Sequence, residues 1–221
     1  MNWNTLVALI ALLALQIGSA VADDKDKDKK FKFYVVEVKT TEGALELELN
    51  REKAAVTVDN FLAYAKDGFY EGTLIHRVEK GHVVQGGGFE RAEDGLRRPK
   101  SLKDKKPIKS EAGNGLKNKR GAIAAARWRG PDTAFAEFFI NLADNSQFDH
   151  PKPAGHGYTV FGKVTKGMEV IDKIAELEVS EGSVVFTKME DEKEVDDAVK
   201  VPFVPKKDIV IEKVSVLSKR D

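Results

Sequence analysis

Apolar and polar residues alternate along much of this chain with a period of two, and the alternation marks strands. Leu45, Leu47 and Leu49 are interleaved with Glu46 and Glu48. A pleated strand therefore puts the leucines on one face and the glutamates on the other. With Phe31–Val38 before it and Glu42-Gly43 as a turn, Ala44–Leu49 completes a predicted β-hairpin. Asp208–Leu217 (DIVIEKVSVL) reads as a closing strand. In two places the period changes to that of a helix. Val58, Phe61, Leu62 and Ala65 fall at i, i+3, i+4 and i+7, with Thr57 as a predicted N-cap and Gly68 as a stop. Val170, Ile171, Ile174 and Ala175 form a second such stripe within Glu169–Leu177.

Between these elements lies the stretch Phe69–Phe89, which predicts two short strands. Leu74, Ile75 and Val78 supply β-favouring bulk to the first, and Val83 and Val84 to the second, with Lys80-Gly81 as the turn. Gly86-Gly87-Gly88 suggests a bulge, or a place where another backbone comes close. Simple alternation puts Leu74, His76 and Val78 on one face and Ile75 and Arg77 on the other, with Gln85 able to reach the surface of Arg77. Two readings follow: a guanidinium and a carboxamide held rigidly beside an apolar patch, or a surface arginine on a half-exposed strand. Pattern alone does not choose between them. Further on, Gly121–Arg127 is a strand of small residues, and Glu137–Asn141 (EFFIN) is another. There, Phe138 and Phe139 face opposite ways. Either one goes to the core and the other to a pocket, or both fill core.

Composition narrows the chemistry. The 221 residues carry 36 Lys and Arg against 36 Asp and Glu, and no cysteine. The length suits one domain. The balanced charge argues against a polyanion binder, and the lack of cysteine excludes disulfides, thiolate chemistry and Cys-based zinc sites. Glu90–Arg120 is basic and loop-like, but no aromatics interleave with its cations to stack on bases, so a solvated loop is expected and no nucleic-acid partner. Glu176–Asp197 is rich in carboxylates without EF-hand spacing, and is expected to be a solvated acidic insertion. The histidines fall in two pairs, each six residues apart, with no carboxylate spaced to complete a zinc motif, so no metal site is expected. No serine sits on a G-x-S-x-G turn, which argues against a hydrolase. At the start, Met1–Ala22 reads as a secretory signal: Leu6–Leu15 is an apolar run shorter than a membrane span, and Ala20-Val21-Ala22 has the form of a cleavage site. An uncleaved N-terminal anchor is the alternative. Asp23–Lys30 (DDKDKDKK) reads as a charged linker.

The stretch Phe69–Phe89 resembles the cyclophilin family of peptidyl-prolyl isomerases, whose members carry a G-F-Y-x-G-T-x-x-H-R-V block followed by Q-G-G. Two later blocks resemble it too, Gly121–Asn141 (GAIAAARWRGPDTAFAEFFIN) and Gly157–Val164 (GYTVFGKV). The resemblance runs from about Phe31 to Ser218, the expected isomerase domain. It implies a mainly β fold, a closed antiparallel eight-stranded barrel capped by two α-helices. It also implies an enzyme that accelerates rotation about X–Pro bonds, here during folding of exported proteins. That reaction needs no cofactor. Its barrier of about 18–20 kcal/mol comes from amide resonance, and a fixed cation at the prolyl nitrogen stabilises the twisted state.

By position, the resemblance makes Arg77 the catalytic arginine, Gln85 the glutamine that bonds the substrate backbone, and Phe139 the ring beneath the proline. Ala126 and Arg127 lie where the substrate main chain is gripped, and Phe148 and Tyr158 line the pocket. The chain departs from the family at His82 (usually aromatic), Val83 (usually methionine), Glu137 (usually glutamine) and Gln147 (aromatic or tryptophan in many members). All four belong to the expected substrate-binding set, and Glu137 is expected to pair with Arg77 or to face Arg127. These departures leave a second reading, a proline-peptide binding module or holdase with little turnover. The expected partners are proline-containing polypeptides. The protein is expected to be exported, periplasmic or secreted, monomeric, and not inserted in a membrane once its signal is cleaved.

Overall fold

A computed structural model describes residues 31–102, 105–151, 155–190 and 193–221. The Met1–Ala22 signal and the Asp23–Lys30 linker lie outside the described residues. The predicted hairpin forms as β1 (Phe33–Thr40) and β2 (Gly43–Asn50), with Val36, Leu47 and Leu49 fully buried. The other barrel strands are β3 (Thr73–Glu79), β4 (Val83–Arg91), β6 (Ala122–Arg127), β7 (Ala134–Asn141), β8 (Val160–Lys166) and β11 (Ile209–Arg220). They pair antiparallel in the order β3-β11-β1-β2-β8-β6-β7-β4, and β4 returns to β3. The ring is thus the expected closed eight-stranded barrel, which leaves its members no free edge. A short β5 (Arg97–Pro99) adds to the outside of β4.

Helices α1 (Ala55–Lys66) and α2 (Met168–Ala175) pack their apolar stripes on the barrel. On α1, Phe61 sits among the rings of Tyr70, Phe138 and Phe161, with centroids 5.0–5.8 Å away. Thr57 is not its N-cap. Ala54 holds that position and its side chain has nothing to offer. Glu111, 54 residues further on, accepts the free amides instead, from Thr57 at 2.8 Å and Val56 at 3.1 Å. A carboxylate there satisfies orphan donors and meets the positive end of the helix dipole.

Strand β3 departs from simple alternation. The β3–β4 register slips between Thr73 and Ile75 and again between Ile75 and Arg77. Ile75 and Val78 therefore both enter the main core, while His76 and Arg77 both line a cavity. An irregular register changes the face a side chain takes, so the expected partition of this strand fails here. The glycines of β4 permit the close approach: a Cβ on Gly86 would stand 2.8 Å from the Leu74 carbonyl oxygen.

The acidic insertion is not a solvated loop. It is an antiparallel hairpin, β9 (Val179–Glu190) and β10 (Lys193–Pro205). Val184, Val185 and Val204 are buried, and Phe186 packs edge-on against Phe89 and Trp128 at 6.0 and 5.8 Å. Arg98 ties the hairpin down through Asp196 at 2.6 Å, and Arg97 donates to the Pro205 carbonyl at 3.1 Å. The basic stretch is also locally compensated: Arg91 and Arg97 meet Asp208, Lys105 meets Asp67, Lys119 meets Asp144 and Arg120 meets Asp172.

Candidate active site

Strand register builds the site. Across β3, β4, β7 and β6 the directly opposed residues are Arg77, Gln85, Phe139 and Ala124. Opposed residues of paired strands point to the same face, so guanidinium, carboxamide and phenyl ring form one row. Phe138 turns inward to the rings of Phe61 and Tyr70, as one of the two sequence readings requires. Phe139 turns outward, into a second apolar cluster with Val83, Ala122, Ala124, Ala126 and Val160. Phe148 and Tyr158 border that cluster, with ring centroids 5.6 and 5.3 Å from Phe139. His82 flanks Phe148 at 4.9 Å. Arg127 lays its guanidinium over Tyr158 at 4.5 Å and donates to the Gly157 carbonyl at 3.1 Å.

The polar half is a chain of contacts. Arg77 Nη1 donates to Gln85 Oε1 at 3.3 Å, and Nη2 donates to the Glu79 carboxylate. The same Glu79 oxygen lies 2.9 Å from His82 Nδ1. Gln147 Nε2 meets His82 Nε2 at 3.1 Å. An amide N–H donates, so His82 Nε2 accepts and its proton sits on Nδ1, facing Glu79. Glu79 was not among the expected site residues, although it stands two positions from Arg77, the spacing that shares a strand face.

Glu137 pairs neither with Arg77 nor with Arg127. The Gln85 amide lies between, accepting from Arg77 and donating to Glu137 Oε2 at 3.1 Å. The same oxygen is 3.4 Å from His76 Nε2. Burial pushes the Glu137 carboxyl above its ordinary range. Burial also lowers His76 to about 3, so its ring is neutral near pH 7. The His76 ring packs on Phe89 at 4.5 Å. A Cβ on Gly88 would overlap Glu137 Cγ, so the third glycine of the run is what gives this carboxylate its place.

Beside the row opens a cavity of about 560 Å³. Arg77, Gln85, Ala126, Arg127 and Glu137 face it on the barrel side, and Val184, Phe186, Val199 and Val201 of the hairpin close the other. Sequence reasoning missed this wall and Trp128 at its mouth. Among the described residues no group of three or more His, Cys, Asp or Glu is placed to hold a metal ion. Every expected site residue lies around this one face, with Gln147 at its rim.

Comparison with known proteins gives a consistent result. A family model described as cyclophilin type peptidyl-prolyl cis-trans isomerase/CLD matches residues 35–215. A peptidyl-prolyl cis-trans isomerase of Acinetobacter baylyi is 47% identical over 149 residues, 66% of this chain and 74% of that protein. Peptidyl-prolyl cis-trans isomerase B of Escherichia coli is 40% identical over 184 residues, 82% of this chain and 99% of the other. Among solved structures, a Cryptosporidium parvum cyclophilin type isomerase is similar in fold, with TM-score 0.60, 22% identity and coverage of 84% and 98% of the two chains.

Proposed function

The chain belongs to the cyclophilin-type peptidyl-prolyl cis–trans isomerases, and from that premise we propose that Arg77, Gln85 and Phe139 turn X–Pro bonds in exported polypeptides during their folding. The observation that carries the assignment of roles is the cross-strand row that sets these three side chains beside one another. The proline ring rests on Phe139, walled by Val83, Phe148, Tyr158 and His82. Ala126 and Arg127 border the path of the substrate main chain, and Gln85 holds it by a hydrogen bond. Arg77 then presents its charge to the prolyl nitrogen as the amide twists and loses its resonance. Water is partly excluded there, so a fixed guanidinium acts more strongly than it does in bulk solvent. The step breaks no bond and moves no proton, so it calls for positioning and charge alone.

The isomerase domain spans residues 31–218 and acts as a monomer on proline-containing polypeptides. No nucleic-acid partner is proposed, since several cations of 90–120, Arg91, Lys105 and Lys119 among them, already meet carboxylates. The apolar run in Met1–Ala22 and the A-V-A ending support export to a periplasm or the medium, with Asp23–Lys30 as spacer.

The test is the isomerisation rate of a short X–Pro peptide with the parent chain and with Arg77→Ala. The expected result is acceleration by the parent and a loss of about a hundredfold in the variant. Equal rates for the two proteins refute the role given to Arg77.

A further inference from the structure

Glu137 is an unusual group to find in this cavity. One oxygen accepts from Gln85, and the other, Oε1, has no hydrogen-bond partner among the described residues. Its polar neighbours, the Gln85 amide and the neutral His76 ring, bring no positive charge. The two guanidiniums facing the same cavity are already engaged. Arg77 is bonded to Glu79 and Gln85, and Arg127 lies on Tyr158 and donates to backbone carbonyls. Glu137 is also not sealed off: its side chain is 22% exposed, and it is one of the groups lining the cavity. A desolvated carboxylate without a counter-charge is costly, yet Gly88 is shaped to admit it.

Much of the remaining wall is apolar, and Phe89, Phe135, Phe186 and Trp128 are its aromatic members. Phe186 packs edge-on against Phe89 along its wall, and Trp128, 57% exposed, stands at the mouth. A carboxylate with aromatic walls suits a long alkyl stem ending in a cation, since the stem covers apolar surface while the head is drawn to rings and carboxylate. We propose that this cavity is a specificity subsite for a lysine or arginine side chain of the same polypeptide whose prolyl bond is turned, its charged end on Glu137 and its stem along the wall of Phe89, Phe186 and Trp128. The inference rests on the isomerase site above, because the cavity shares Arg77, Gln85, Ala126 and Arg127 with it. It makes the β9–β10 hairpin a substrate-selecting element.

The experiment uses proline peptides in which one flanking position is lysine, norleucine or glutamate, scanned along both sides of the X–Pro bond. Norleucine keeps the lysine stem and removes the charge. Binding is read from Trp128 fluorescence, the only other tryptophan being Trp3, and isomerisation is followed in parallel. At one position lysine is expected to bind on the order of tenfold tighter than norleucine, with glutamate weakest. In Glu137→Gln the lysine-to-norleucine ratio falls to near one. Phe186→Ala weakens lysine and norleucine alike, because it removes a wall and not a charge. Equal binding of lysine and norleucine by the parent overturns the proposal, as does a lysine preference that survives Glu137→Gln. Turnover without lysine preference sinks the subsite and leaves the isomerase assignment standing. Lysine-selective binding without turnover does the reverse.

Discussion

Glu79 holds the far side of the Arg77 guanidinium and is itself held by His82, whose other nitrogen is fixed by Gln147. The arginine is thus oriented from behind by Glu79, which stands outside the proposed substrate contacts, an arrangement suited to keeping a charge in place through the reaction. Glu79→Ala is expected to lower kcat roughly tenfold with little change in KM, and Glu79→Gln, which keeps an acceptor, to restore most of it. Steady-state rates on one X–Pro peptide check this, and equal losses in both variants argue against an orienting role. At this scale the sequence carried a good deal. Opposite faces for Phe138 and Phe139 follow from the pleat alone, and the structure divides them between core and pocket. The partner of Glu137 did not follow, because it depends on Gln85 standing between β3 and β7. That is a matter of two strand registers and two slips in β3, none of which is written in local pattern.

Helix α1 shows why elements are easier to find than to finish. Its stripe of Val58, Phe61, Leu62 and Ala65 announces a helix, but its N-terminus is closed by Glu111, far along the chain. Glu111→Ala leaves the first amides of the helix without a protein acceptor. The expected cost is about 1–2 kcal/mol, read as a lower urea midpoint with unchanged m-value. A wild-type midpoint indicates that water replaces the carboxylate without loss. The β9–β10 hairpin is hard to see in the local sequence for a related reason. Its carboxylates dominate the local composition, yet Val184, Phe186, Val199 and Val201 all face the cavity. An antiparallel pair needs only one apolar face, and the acidic residues occupy what remains.

For the molecule as a whole, the buried His76 ring makes stability fall on the acid side. Its pKa is about 3 when folded against an ordinary value of 6.5, so between these pH values the unfolded chain binds a proton that the native state refuses. The contribution is intact above about 6.5 and is lost as pH drops toward about 3, at most about 1.4 kcal/mol per pH unit. Glu137 works in the opposite direction: its raised pKa means the native state sheds a desolvation penalty when the carboxyl takes up a proton. Replacing the histidine separates the two, and unfolding curves of His76→Gln are expected to show a flatter acid slope than the parent. An unchanged slope removes His76 from the account. Barrel closure carries a different kind of consequence. Strand β11 lies between β1 and β3, and β1 is the first strand of the barrel while β11 is the last. During synthesis, then, two barrel edges stay unpaired until β11 emerges. The barrel cannot close before that strand arrives, and until then the enzyme is itself a chain in need of protection.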